Sequence, residues 1–197
     1  MSQDVLFIAP IYKYYPILLH SLRAQTTKHW QLILLHDGPA PRWLRDNILG
    51  CRDGRVVFHE TAKRANQFGH NLRALGLETA ALLQRYEDCV AIVHTNADNY
   101  YVPRTVGTVR RWIINNPSIA AIYFDCLHNY FGYQHLIAEP KYSKVDLGCV
   151  VYQYDIALHN GFRYRGREDD WLVFENVIKQ YGIDNIRKIP GVFLVHN

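Results

Sequence analysis

The sequence predicts an α/β protein, a mostly parallel sheet flanked by helices on both faces. Three observations lead there. Short apolar runs read as buried strands, helical stripes separate them over the first two thirds of the chain, and the pattern changes after Asp125. Strands alternating with helices form parallel sheets through crossover connections. At 197 residues and 49% hydrophobic content the chain can bury a full core, and one domain over residues 1–197 is expected.

Each element follows from its local pattern. Residues 5–10 read as a strand, and Tyr15, Leu18, Leu19 and Leu22 then recur at helical spacing, giving a helix that ends near Thr26. Residues 32–35 form a second buried strand, broken by His36-Asp37-Gly38-Pro39. A short helix over 43–49 precedes a third strand at 55–59. Leu72, Leu75, Leu82, Leu83 and Tyr86 make one stripe on a long helix opening near Gly69. A strand over 90–95 delivers the turn Asn96-Ala97-Asp98-Asn99. Val106, Val109 and Ile113 mark another helix, and 119–125 another strand. Residues 126–153, rich in Tyr, His and Gly, suit antiparallel strands or a loop over the sheet edge. A last amphipathic helix carries Trp171, Phe174, Val177, Ile178 and Tyr181 on one face, and 191–196 closes the chain as a strand.

Composition excludes several classes. The net charge is only +4, with Lys and Arg scattered, which fits an anionic small molecule such as a phosphate-bearing one. Nucleic acid would need a concentrated basic face. Cys51, Cys89, Cys126 and Cys149 lie far apart, so neither a zinc site nor a disulfide framework is expected. No signal peptide and no transmembrane segment is visible, and the expected location is cytoplasmic.

The chemistry-bearing residues cluster at strand ends. Asn96-Ala97-Asp98-Asn99 puts oxygen atoms where open α/β sheets bind nucleotides. Such oxygens suit Mg²⁺ or Mn²⁺ shared with phosphates, though Asn and Asp are also ordinary turn formers. Tyr12, after the first strand, is a base-stacking ring or a rim residue. Asp37 is an acceptor for a base N–H or part of an Asp-Gly turn. Glu168, Asp169 and Asp170 precede a helix, whose dipole favours negative charge, and a cap needs only one such residue. His94, His128, His135 and His159 show no ligand spacing and read as surface or rim residues.

Three segments together resemble the family 2 glycosyltransferases of the GT-A fold. The first runs from Val5-Leu6-Phe7-Ile8-Ala9-Pro10-Ile11-Tyr12-Lys13 through Ala24-Gln25-Thr26 and Trp30 to His36-Asp37-Gly38. The second, Gly69-His70-Asn71-Leu72-Arg73-Ala74-Leu75-Gly76, is similar to the family's Gly-x-x-x-Arg-Asn-x-Gly helix. The third, Gly166-Arg167-Glu168-Asp169-Asp170-Trp171, resembles its Glu-Asp motif.

The resemblance implies a nucleotide-binding half over 1–103 and an acceptor-binding half over 104–197. Pro10, Tyr12, Asp37, Arg73, Asn96 and Ala97 would hold the nucleotide, Arg73 being alternatively a solvated helix residue. Asp98 and His196 would hold a divalent cation, Mn²⁺ or Mg²⁺. Gly148 and Trp171 would line the donor-sugar and acceptor site, and Tyr130, Phe131, Tyr133 and Tyr142 an aromatic platform. Asp169 would be the catalytic base, with Asp170 its rival and Glu168 beside them. One departure stands out: Asn96 replaces the first carboxylate of the family's Asp-x-Asp turn, so the cation meets less charge. The implied reaction transfers a sugar from a nucleotide-sugar donor, a UDP-sugar, to a saccharide or other hydroxyl acceptor. A non-catalytic nucleotide-sugar binder or partner subunit is the competing reading. A sugar nucleotidyltransferase would need a Gly-rich basic loop after the first strand, and Pro10-Ile11-Tyr12-Lys13 is not one.

Overall fold

The computed structural model describes residues 3–12, 16–50, 52–67, 69–129, 132–161 and 169–197, with only the backbone of Pro16 and Asp169. The first half contains β1 (Val5–Ile11), α1 (Pro16–Arg23), β2 (Trp30–His36), α2 (Arg42–Gly50), β3 (Val56–Glu60), α3 (His70–Leu82), β4 (Ala91–His94) and β5 (Tyr100–Tyr101). The second contains α4 (Thr105–Asn115), β6 (Ala121–His128), β7 (Gln134–Leu136), β8 (Val150–Gln153), α5 (Tyr154–Asn160), α6 (Asp169–Tyr181) and β9 (Ile186–His196). The strands form one sheet in the order β3-β2-β1-β4-β8-β6-β9-β5, with β7 paired to β6.

The predicted layers are present. β3, β2, β1 and β4 run parallel to one another. Alternate residues of β1 feed two cores, Val5, Phe7, Ala9 and Ile11 on one face and Leu6 and Ile8 on the other. That is why β1 is apolar throughout, since a strand covered on both sides has no polar face. Helices α1, α2 and α4 pack on the first face, and α3, α5 and α6 on the second. The region after Asp125 is antiparallel as expected: β7 pairs with β6, and β8 inserts antiparallel between β4 and β6. The three described cysteines, Cys89, Cys126 and Cys149, are buried thiols.

Gln25 gives the Ala-Gln-Thr segment its physical sense. Its amide donates to the carbonyls of Tyr101 and Val102, and its oxygen accepts the N–H of Val106. One buried side chain thus joins the end of α1 to β5 and fills an otherwise unpaired donor in the first turn of α4.

Two expectations need correction. The stripe read on α3 is only in part its buried face: Leu72 is buried, but Leu82 is 83% exposed, and Leu83 and the buried Tyr86 lie beyond the helix. The buried positions include Leu72, Gly76, Leu77 and Ala80, and α3 approaches β1 most closely at Gly76. A Cβ on Gly76 would collide with Ile8 Cγ2. The final strand begins at Ile186, five residues earlier than the sequence implied, and continues to His196 through a register shift opposite Tyr123 and Asp125. Gly191, at φ 118°, supplies the left-handed backbone at this irregularity.

Candidate functional site

Strand direction decides which residues can meet. In the parallel pairs, Ile11 is opposite His36 and Ile8 opposite His94, so Tyr12, Asp37 and Asn96-Ala97-Asp98-Asn99 leave the sheet at one carboxyl edge. β8 runs the other way, which brings the residues before it, Asp146 to Gly148, to that same edge. β9 is parallel to β6 with His196 opposite His128, so both strands also end there. The backbone N–H groups of Thr95 and Ala97 donate to the carbonyls of Ile8 and Pro10, tying the acidic turn to the end of β1.

One part of the edge is organised around Arg73 and Asp37. Arg73 is 3% exposed and its Nη2 donates to Asn96 Oδ1 at 2.7 Å, so it is not a solvated helix residue. Asp37 is fully buried, its two oxygens accepting the N–H groups of Ala65 and Asn66 at 2.8 Å each. Its carboxylate therefore holds the 61–67 loop and still has acceptor capacity. Tyr12, largely exposed, stands beside both. Burial and the Asp37 charge push its phenol pKa up, against the pull of Arg73 and Arg64. A ring, a cation and a backbone-anchored carboxylate thus share one floor.

The second part is a compact set of imidazoles and carboxylates. The rings of His128 and His196 stack with centroids 4.1 Å apart and planes 9° from parallel. Asp146 Oδ2 lies 3.5 Å from His128 Nε2 and 3.6 Å from His196 Nε2, while Oδ1 accepts the Gly148 N–H. Burial pushes the Asp146 carboxyl up, but His128, His196 and the Gly148 N–H outweigh it and hold the pKa below the usual carboxylate value. Burial lowers the His196 pKa against the opposing pull of Asp146 and Asp98. Asp98 stands beside this set: burial raises its pKa, the His196 charge opposes that, and Asp146 adds to it. Asp98 Oδ1 is buried with no hydrogen-bond partner among the described residues, and Asn197 donates to the Asp98 carbonyl. A buried carboxylate oxygen with no hydrogen-bond partner among the described residues, beside an imidazole, fits a divalent cation.

Space here is tight. A Cβ on Gly148 would come within 3.1 Å of both Asn99 Nδ2 and Asp146 Oδ1 and 3.0 Å of Leu194 Cδ2. At the start of α6, Asp170 Oδ1 lies 3.4 Å from the Nδ1 of buried His70, one helical turn from Arg73. This joins the Glu-Asp segment to the same edge. Trp171 sits edge-on to Phe174 and Tyr142, and Tyr133 donates to Asn197 Oδ1. Glu168, Tyr130 and Phe131, and the side chain of Asp169, lie outside the described residues.

Comparison with solved structures decides the fold. S. aureus TarS, residues 1–349, superposes with a TM-score of 0.74 at 11% identity, covering 98% of this chain and 60% of that one. The fold is GT-A-like. The TarS 1–349 structure with UDP gives a TM-score of 0.74 at 12% identity over 98% of this chain and 60% of that one. The structure with UDP-GlcNAc gives 0.73 at 12%, over 98% and 58%. The chain spans about three-fifths of the solved TarS 1–349 chain and 36% of the longer solved TarS chain. No protein family and no curated protein matches it by sequence.

Within this GT-A-like fold, two histidines differ from expectation. His94 is 1% exposed rather than on the rim, and burial, with Arg73 nearby, pushes its pKa well down. His128 is 7% exposed and lies inside the imidazole-carboxylate set. His135, paired with Asp125, and His159 are exposed as expected. Asp146 and His128 were missed as a pair because 17 residues of chain lie between them. A usable signal existed: β2, β4, β6 and β9 all end in histidine.

Proposed function

We propose that this chain is a glycosyltransferase of the family 2 type, transferring a sugar from a UDP-sugar to a hydroxyl of a saccharide or other acceptor. The observation that carries the reading is the convergence of Tyr12, Asp37 and Arg73, Asp98 and His196, and Asp170 at one carboxyl edge. It is supported by the likeness in fold to TarS, solved with UDP and with UDP-GlcNAc.

The residues divide the work by chemistry. Tyr12 stacks on the base, Asp37 accepts a base N–H, and Arg73 with the Asn96–Ala97 turn faces the phosphates. Gly148 leaves room for the donor sugar, and Trp171 flanks the acceptor. A sugar hydroxyl has a high pKa and loses its proton only as the new C–O bond forms, so a carboxylate must receive it. Asp169 takes that role, with Asp170 its rival, and attack opposite the leaving group inverts the anomeric centre. Asp98 and His196 would hold Mn²⁺ or Mg²⁺, which would supply positive charge against the charge growing on the departing diphosphate.

The competing reading, a nucleotide-sugar binder that does no chemistry, draws on Asn96, the amide that leaves the turn a single carboxylate. UDP release from UDP-GlcNAc, with and without Mn²⁺, separates the two. Wild type is expected to release UDP well above background, and Asp169→Asn to lose at least a hundredfold, the lower end of general-base contributions. If Asp170→Asn carries the loss instead, the base moves by one residue. Equal background release by all three proteins would favour the binder.

A further inference from the structure

The cation reading above rests on Asp98 and His196, but the tightest ligand geometry at this edge lies elsewhere. His128 Nε2, Asp146 Oδ2 and His196 Nε2 come from three different elements, and their ligand atoms lie within 4.8 Å of one another. The two Asp146 separations, 3.5 and 3.6 Å, are close to the roughly 3.0–3.4 Å between neighbouring donors around an ion that each approaches at about 2.0–2.2 Å. Closing the set also requires the two stacked rings, whose planes are 9° from parallel, to turn so that both Nε2 lone pairs meet the ion.

The surroundings already hold these donors in place. Asp146 Oδ1 is engaged by the Gly148 N–H, which turns Oδ2 toward the two rings. His196 Nδ1 lies 3.1 Å from Asn129 Oδ1. An amide oxygen only accepts, so Nδ1 carries the proton and Nε2, the atom that faces Asp146, is the nitrogen placed to take an ion. An imidazole whose other nitrogen is fixed by an oxygen is the usual supporting arrangement of a metal-bound histidine. β6 and β9 lock the two rings in register as opposite residues of a parallel pair.

Two imidazole nitrogens and one carboxylate oxygen select a class of ion. Mg²⁺ binds oxygen in a near-regular octahedron and keeps its waters, whereas imidazole suits first-row transition ions such as Fe²⁺, Ni²⁺ and Zn²⁺, with Mn²⁺ the weakest binder of that series. We propose that His128, Asp146 and His196 form a resident transition-metal site that binds its ion without nucleotide and discriminates against Mg²⁺. Three protein ligands leave coordination positions open, toward Asp98 and toward phosphate oxygens. The charge missing at Asn96 is then replaced by donors that lie far from that turn in sequence. The proposal deepens the reading of this edge as a cation site, but its test involves neither nucleotide nor sugar, so it stands or falls apart from glycosyl transfer.

The experiment is calorimetry on the chelator-stripped full chain with MnCl₂ alone and MgCl₂ alone. Spin-echo spectroscopy of the Mn²⁺ sample then detects directly bound nitrogen. Wild type should bind one Mn²⁺ at least tenfold more tightly than Mg²⁺ and show nitrogen coupling. Asp146→Asn keeps the oxygen that accepts the Gly148 N–H while removing the charge, and His128→Gln removes one nitrogen. Each should weaken Mn²⁺ at least tenfold, and melting curves show which variants are folded. Failure of wild type to bind Mn²⁺ without nucleotide, equal affinity for Mg²⁺, or absence of nitrogen coupling would each overturn the assignment, and these need no variant. A folded His128→Gln or Asp146→Asn with unchanged Mn²⁺ affinity would overturn it as well. UDP release assays are run separately: metal binding with no UDP release leaves the site standing and removes the transferase reading.

Discussion

Asn96 shows how a single amide sets the charge at the edge of the sheet. Its oxygen accepts from Arg73 at 2.7 Å, and because the amide is neutral the guanidinium keeps its full charge for an anionic ligand. In Asn96→Asp a carboxylate would sit at hydrogen-bond distance from the same guanidinium and neutralise it. UDP affinity should therefore fall, by roughly fivefold for about 1 kcal/mol of lost attraction. Calorimetry with UDP checks this, and tighter binding by the variant would mean that Asn96 is a defect. Asp37 is a different kind of residue, since its carboxylate binds the Ala65 and Asn66 N–H groups before it binds anything else. Asp37→Ala leaves two backbone donors without their acceptor, at about 1–3 kcal/mol each where water cannot replace it. Urea unfolding should show that loss together with weaker UDP binding. Weakened binding with unchanged stability would make Asp37 a ligand contact alone.

At the scale of elements, α3 depends on how closely it approaches β1. Gly76 is the point of contact, since a Cβ there meets Ile8 Cγ2, with Leu35 Cδ1 at 3.3 Å. Gly76→Ala gains helix propensity of at most about 1 kcal/mol but forces α3 away from the sheet. Overpacking at such a contact costs about 1–3 kcal/mol, so net destabilisation is expected in urea melts. The shift should also reach the ligand edge, because Arg73 leaves the same helix one turn earlier; an equally stable variant would show that α3 can slide. This contact explains what the sequence hid. Apolar periodicity locates a helix through its large side chains, whereas the buried stripe of α3 includes Gly76 and Ala80, and Leu82 is left 83% exposed. Strands covered on both faces were easier to read: β1, β2 and β4 are near-continuous apolar runs, and their ends placed Tyr12, Asp37 and Asp98. β5, two residues long, had no pattern to show, and its partner β9 lies some ninety residues away.

For the whole molecule, the parallel half and the antiparallel character after Asp125 were legible, and the place of β8 was not. Nothing local places a four-residue strand between β4 and β6, and that placement brings Asp146 to the histidines. Long-range ion pairs bind the rest together, and they make stability depend on pH. Asp53 takes the Nε and Nη2 of Arg55 at 2.9 Å each and the Nε of Arg23 at 3.3 Å, joining the end of α1 to the start of β3. Arg55 also lies over the Trp30 ring, 3.7 Å from its centroid. The hydrogen bonds from Arg55, foremost among the causes, pull the Asp53 pKa down to about 2. A carboxyl depressed on folding stabilises the native state above its unfolded pKa, and that stabilisation is lost as pH falls through the folded value. Asp125, held below its usual value by Lys188, the Ala138 N–H and His135 against the opposing effect of burial, acts in the same direction where β6 meets β9. Asp53→Asn should therefore cost about 1–2 kcal/mol in urea unfolding at pH 7, with little change down to about pH 4.5. The difference from wild type should then shrink to about half by pH 3, because the native carboxylate is still mostly ionised there while the unfolded one is mostly protonated. A difference that stays constant from pH 7 to pH 3 would mean that Asp53 contributes through geometry and not through charge.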